Sequence, residues 1–215
     1  MNIINSFDKI KQEIKNNQPN LNTQIIAVSK TFSLDYVMPL FNHGHMHFGE
    51  NKVQEAERKW SELKKNSQTL KLHMIGRLQS NKAKKAVELF DYIHSLDNEK
   101  LANELSKRQK EKNKSLKYFI QINLGSEDQK SGLEIKLLKD FHKHCLHKLN
   151  LSILGLMAIP PNDGKTENYF KRISELNKEI GYKYLSIGMS NDYMIAIKYG
   201  ATHVRVGSAI FGNRV

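Results

Sequence analysis

A single cysteine, Cys145, stands among 215 residues, so no internal disulfide can brace this chain, and the lysine- and histidine-rich stretch around it shows neither nucleophile nor metal-site spacing. No apolar run approaches the ~20 residues of a membrane span. The first 15 residues mix apolar with charged side chains and carry no secretory apolar block. A cytoplasmic protein without a membrane partner is the expectation. No G-x-G-x-x-G occurs, which removes the fingerprint of a doubly wound dinucleotide fold. Also missing is any basic motif interleaved with aromatics, the usual mark of a nucleic-acid reader.

What is present is globular composition: 39% hydrophobic, 26% charged and a formal net charge of +12. The cations are dispersed, as in Lys107-Arg108-Gln109-Lys110-Glu111-Lys112 and across 136–148, with acids or apolar positions between them. Solvated helix faces look like this. This dispersed arrangement therefore argues against nucleic acid as the primary partner, although weak, salt-sensitive association would fit the excess charge.

One rhythm runs through the chain. A short apolar run is followed by a polar or glycine-bearing turn, and then by a longer stretch with apolar residues at helical spacing. Strands are expected at 24–29, 46–48, 72–75, 92–95, 118–123, 152–156, 184–187 and 202–206. Helices are expected at 34–41, 51–64, 82–90, 99–111, 134–147, 166–180 and 192–198, with an amphipathic helix at 4–14 ahead of the first strand. Eight alternations favour one closed parallel (β/α)8 barrel, a TIM-like α/β fold, over an open sheet. The whole of 1–215 is read as a single domain. The eighth strand is expected to be followed by at most a turn, with the N-terminal helix covering the place of an eighth helix.

In such barrels the chemistry sits at the C-terminal ends of the strands, and phosphate binds after strands 7 and 8. Strand 1 ends in Ala27-Val28-Ser29-Lys30. A lysine partly desolvated there would have a lowered pKa and an amine able to attack an aldehyde. After strand 7, Gly188-Met189-Ser190-Asn191-Asp192 offers backbone N–H groups and a hydroxyl to a phosphate. After strand 8, Arg205-Val206-Gly207-Ser208 adds a close backbone approach at Gly207 and a hydroxyl at Ser208. Each feature alone fits an exposed lysine, a helix cap or a turn. Together they describe an amine and a phosphate anchor at opposite ends of a small aldehyde.

Several segments closely resemble the pyridoxal phosphate homeostasis proteins: Ala27-Val28-Ser29-Lys30-Thr31, Phe48-Gly49-Glu50-Asn51-Lys52-Val53-Gln54-Glu55, His73-Met74-Ile75-Gly76-Arg77-Leu78-Gln79-Ser80-Asn81-Lys82, Gly155-Leu156-Met157 and residues 185–211. The match covers nearly the whole chain in order. It implies the barrel of the alanine racemase N-terminal domain, with pyridoxal 5'-phosphate bound through a Schiff base on Lys30. It further implies a phosphate held by Ser190, Gly207 and Ser208, Arg205 facing the ring, and Asn51 and Met157 also at the cofactor. A permanent cation beside the pyridine nitrogen disfavours its protonation and mutes carbanion chemistry. The resemblance accordingly implies a monomeric carrier that buffers the cofactor or delivers it to apoenzymes, without strong catalysis. The alternative is a racemase or lyase using the same imine site, though the barrel racemases take a second base from a separate β domain. Two departures from the family pattern, Phe32 and Lys52, leave the anchor untouched, and a role for a longer basic tail is in doubt.

Other candidates are weaker. His43, His45 and His47 alternate, but no carboxylate or cysteine completes a metal set. His144 and His147 share a helix face that reads as solvated, with His142 pointing elsewhere. His73 and Asn81 flank the third barrel-top loop and could line the pocket. The loop Gly125-Ser126-Glu127-Asp128-Gln129-Lys130-Ser131-Gly132 has glycine at both ends and could act as a lid.

Overall fold

In the computed structural model, which describes residues 2–18, 22–125 and 131–212, eight parallel strands close into a barrel in sequence order. They are β1 (Gln24–Val28), β2 (His47–Glu50), β3 (Lys71–Met74), β4 (Tyr92–Leu96), β5 (Lys117–Gln121), β6 (Ser152–Met157), β7 (Tyr184–Met189) and β8 (His203–Val206). The seam is a full ladder, with Gln24 opposite His203 and Ala27 opposite Val206. The crossovers are α2 (Leu34–Asn42), α3 (Val53–Asn66), α4 (Ala83–Leu89), α5 (Glu99–Lys112), α6 (Leu138–Lys143), α7 (Thr166–Glu179) and α8 (Tyr193–Lys198). They are preceded by α1 (Ile3–Asn17) and followed by α9 (Ser208–Phe211).

Local chemistry sets several of these boundaries. Helix α1 begins where the Asn2 side chain accepts from Asn5 N at 3.1 Å, and it buries Ile3, Phe7, Ile10 and Ile14, one stripe at helical spacing. It lies against the last units of the barrel: Gln18 Nε2 donates to Ile197 O at 2.6 Å and Tyr193 Oη donates to Glu13. The N-terminal helix thus covers the flank beside α8, while the four-residue α9 stands where no more than a turn is expected from the sequence. Helix α5 starts at an Asn98 cap on Leu101 N, 2.9 Å, and stops at Asn113, whose φ of 46° no helix continues.

The stretch expected as one helix over 134–147 is three. A 3-10 turn at Ile135–Leu137 leads into α6, and a π turn at His144–Lys148 follows, with Leu149 N reaching His144 O at 3.2 Å. Apolar spacing reports the buried face and is silent about which carbonyl each N–H selects.

Two cores result from strand parity. Ile25, Ala27, Phe48, Leu72 and Ile93 join the helix-facing shell, together with Trp60, Phe90 and Phe170. Ile26, Val28 and Ile75 crowd around Gly49 inside the barrel, where a Cβ would meet Ile26 Cγ2 at 2.9 Å. The barrel interior is polar to an unusual degree: His73, His94 and Ser186 are fully buried there, and His203 and Arg205 nearly so. None of the helices is long and apolar enough to cross a membrane among the described residues.

Candidate functional site

A cavity of ≈ 1010 Å³ opens at the C-terminal ends of the strands. Lys30, Asn51, Ser190, Arg205, Gly207 and Ser208 all line it. Six of the seven residues expected at a cofactor thus share one wall-to-wall space. Met157 does not: it ends β6 fully buried and is absent from the lining.

Lys30 follows β1 and is half-buried. Both of its neighbours are held. Ser29 N donates to Gly49 O at 3.0 Å and Ser29 Oγ to Glu50 Oε1 at 2.7 Å, while Lys59 Nζ donates to Ser29 O at 2.7 Å. Thr31 sits at φ 71°, a left-handed conformation that a β-branched residue adopts only under constraint. The constraint is Glu55 Oε1, which accepts the Thr31 N–H. Glu50 is the hub, since its Oε1 also accepts from Lys59 Nζ at 2.8 Å and Trp60 Nε1 at 2.9 Å, with the two charged side chains 0% and 7% exposed. The lysine backbone is therefore immobilised from the Gly-Glu-Asn block and α3.

The corner after β7 is shaped by Gly188, at φ 91°, where a Cβ would come within 2.7 Å of Ala196 Cβ. The register between β7 and β8 shifts at this point, between Ser186 and Met189. The Asp192 carboxylate closes the turn by accepting from Met189 N at 2.6 Å. Ser190 Oγ accepts from Gly207 N at 3.1 Å and Ala209 N at 3.3 Å, tying the two corners together. Backbone donors thus converge on one oxygen, and Gly207 is flush against Val28, with 3.3 Å for any added Cβ. This is the donor set and the close backbone approach that a phosphate oxygen requires.

Arg205 rises from β8 and is 4% exposed. Nη1 donates to Ser186 O at 2.7 Å and to Ser186 Oγ at 2.8 Å, and Nη2 donates to Ala158 O at 3.0 Å. Burial pulls its pKa down to about 10, opposed by Asp192, which leaves the guanidinium charged at neutral pH. Asn51 is placed by Gly76, whose hypothetical Cβ would meet Asn51 O at 2.4 Å.

The remaining candidates separate from the cavity. His43 is exposed and pairs with Asp8 at 3.2 Å, His45 is buried and bonds His47 O at 2.8 Å, and no three His, Cys, Asp or Glu side chains among the described residues could share a metal ion. His142 bonds Tyr182 Oη at 2.6 Å. Neither His73 nor Asn81 lines the pocket: Asn81 is exposed and His73 is sealed in the barrel interior. Gly125 and Ser131 line the mouth, while 126–130 of the loop expected as a lid lie outside the described residues. Gln121, Arg77 and Ile159 also line the cavity and were not singled out from the sequence. The strand expected over 118–123 ends two residues early, at Gln121, so the strand-end rule points to Asn123, which also lines the cavity.

Comparison with known proteins agrees with this geometry. Residues 5–215 match the family model described as alanine racemase, N-terminal domain. Curated relatives include the pyridoxal phosphate homeostasis protein of Aquifex aeolicus, 38% identical over 89% of this chain and 87% of the relative, and that of Haemophilus influenzae, 37% identical over 100% and 97%. The structure of PipY from Synechococcus elongatus with PLP bound superposes with a TM-score of 0.84 at 34% identity, covering 94% of this chain and 99% of PipY. An alanine racemase of Clostridium difficile shares the fold at 16% identity, TM-score 0.75, and this chain spans 57% of it.

Proposed function

The chain belongs to the alanine racemase N-terminal domain family and, within it, to the pyridoxal phosphate homeostasis proteins, and from that premise we propose that it binds pyridoxal 5'-phosphate in the barrel-mouth cavity and serves as a carrier or buffer of the cofactor. The observation that carries this reading is the single cavity holding a lysine, an arginine and a serine–glycine cradle. When bound, the cofactor supplies an aldehyde, a phosphate dianion and a pyridine ring able to accept electrons.

The residues present fit those three groups. Gly207 N and Ala209 N already converge on an oxygen, that of Ser190, and Ser190, Gly207 and Ser208 would hold the phosphate. Lys30, with Ser29 and Thr31 pinned on either side, is the amine that would carry the aldehyde covalently and reversibly, releasing water as it does so. Arg205 is a fixed positive charge in a dry setting, so a pyridine nitrogen beside it stays unprotonated and the ring withdraws electrons weakly. Asn51 lines the same wall. A protein so built holds the cofactor without driving strong proton abstraction. The same reading takes it as a cytoplasmic monomer that passes the cofactor to apoenzymes, in keeping with the lone, buried Cys145.

Addition of pyridoxal phosphate to the protein is expected to produce a visible absorbance band that Lys30→Ala abolishes. An unchanged spectrum in excess cofactor, or a band that survives the substitution, would overturn the assignment.

A further inference from the structure

Below the cavity floor, one line of hydrogen bonds crosses the barrel interior. Arg205 Nη1 meets Ser186 Oγ at 2.8 Å, Ser186 Oγ meets His94 Nδ1 at 2.9 Å, His94 Nε2 meets His73 Nδ1 at 2.9 Å, and His73 Nε2 meets His47 Nδ1 at 2.9 Å. Five strands contribute one residue each: β8, β7, β4, β3 and β2. His47, at the start of β2, is the half-buried end. Stacked rings brace the line, Tyr92 on His73 at 4.2 Å and Phe119 on His94 at 4.5 Å.

Hydrogen positions follow from the arginine. A guanidinium only donates, so Arg205 spends an N–H on Ser186 Oγ. The single hydroxyl hydrogen of Ser186 then has one described acceptor, His94 Nδ1. His94 must carry its proton on Nε2 and give it to His73 Nδ1, and His73 in turn donates from Nε2 to His47 Nδ1. We infer that these five residues form a hydrogen-bond line of one fixed direction that orients the Arg205 guanidinium, making Ser186 and His94 positioning residues for the cation at the cavity floor.

The line cannot serve as a proton channel. Reversing it would turn His94 Nδ1 into a donor and leave the Ser186 hydroxyl hydrogen without a described acceptor, and Arg205 has no lone pair to receive what arrives. Protonating His73 at Nδ1 would set its N–H against the N–H of His94. Burial and neighbouring positive groups also hold His73 and His94 well below the ordinary imidazole range. With the proton path blind, Arg205 keeps Nε–H and one Nη2–H beyond the described bonds for whatever lies in the cavity. The positioning role rests on the cavity being a pyridoxal phosphate site with its ring beside Arg205. The direction of the line does not.

The test uses long-range proton–nitrogen correlation on histidine-labelled protein without cofactor. His94 and His73 are expected as neutral Nε2–H tautomers, and Ser186→Ala is expected to introduce the Nδ1–H tautomer at His94. A wild-type His94 or His73 that is Nδ1–H or an imidazolium at neutral pH overturns the inference. With cofactor labelled at the ring nitrogen, the resonance is expected to move toward the protonated position in Ser186→Ala and His94→Leu. It should stay in place in His94→Gln, whose amide can accept from Ser186 and donate to His73, and in His203→Gln, which removes a neighbouring histidine outside the line. A ring nitrogen that ignores all four substitutions refutes the positioning role. Wild-type protein with the expected tautomers but no uptake of cofactor refutes the function proposed above and sustains the hydrogen-bond line.

Discussion

Replacing Glu50 by alanine removes the hub beneath Lys30, and the size of the effect can be worked from its contacts. Oε1 accepts from Ser29 Oγ, Lys59 Nζ and Trp60 Nε1, all within 2.9 Å, and neither Glu50 nor Lys59 has more than a trace of exposure. Deleting one partner of a buried pair strands the other charge, at a cost of roughly 3–5 kcal/mol. Against a total stability of about 5–15 kcal/mol, that is a large fraction. For a urea slope of about 2–3 kcal/mol/M, the unfolding midpoint should fall by roughly 1.5 M. Lys59→Met should cost a comparable amount, because Glu50 would then be the stranded charge. The double variant should lose clearly less than the sum of the two, with a coupling of at least about 1 kcal/mol. Urea unfolding of the four proteins, followed by circular dichroism, completes the cycle. Additivity within about 0.5 kcal/mol would refute the account of Glu50 and Lys59 as a mutually dependent pair.

Three further outcomes follow from the same structure. Gly155→Ala places a Cβ 1.7 Å from Tyr184 O across the β6–β7 ladder, so thermal unfolding should show a loss above roughly 3 kcal/mol or failure to fold. Ser190→Ala removes the oxygen that accepts from Gly207 N and Ala209 N and should weaken cofactor binding about tenfold in a titration, the equivalent of one lost hydrogen bond. His203 is nearly buried and desolvation lowers its pKa to about 3. Its unfolded form therefore binds the proton first as pH falls below about 6.5, and stability declines with acidity down to the folded pKa. His203→Phe should reduce the acid slope of unfolding free energy by up to about 1.4 kcal/mol per pH unit between roughly pH 6 and 4, and an unchanged slope would contradict a neutral His203.

The eight strands and their order were legible because each parallel strand is an apolar run between a helical stretch and a turn. Lys30, Ser190, Gly207 and Ser208 were legible because barrel chemistry occupies strand ends. The same run of apolar letters conceals which residues face inward. Met157 was set at the cofactor by the family resemblance alone; it is fully buried at the end of β6 and is absent from the cavity lining. The line of His47, His73 and His94 went unread, because strand-to-strand register is a tertiary property. His47 invited a metal-site reading with His45 and His43, but its ring nitrogen turns to His73 on the next strand. Glu50 and Lys59 were likewise opaque, since nine residues and a change from strand to helix separate two groups that meet at 2.8 Å.

Borohydride treatment of the protein in the presence of pyridoxal phosphate, followed by peptide mapping, addresses the central claim most directly. One stoichiometric pyridoxyl group on the peptide containing Lys30 is the expected result. Modification spread over surface lysines, or none at position 30, would contradict the carrier assignment.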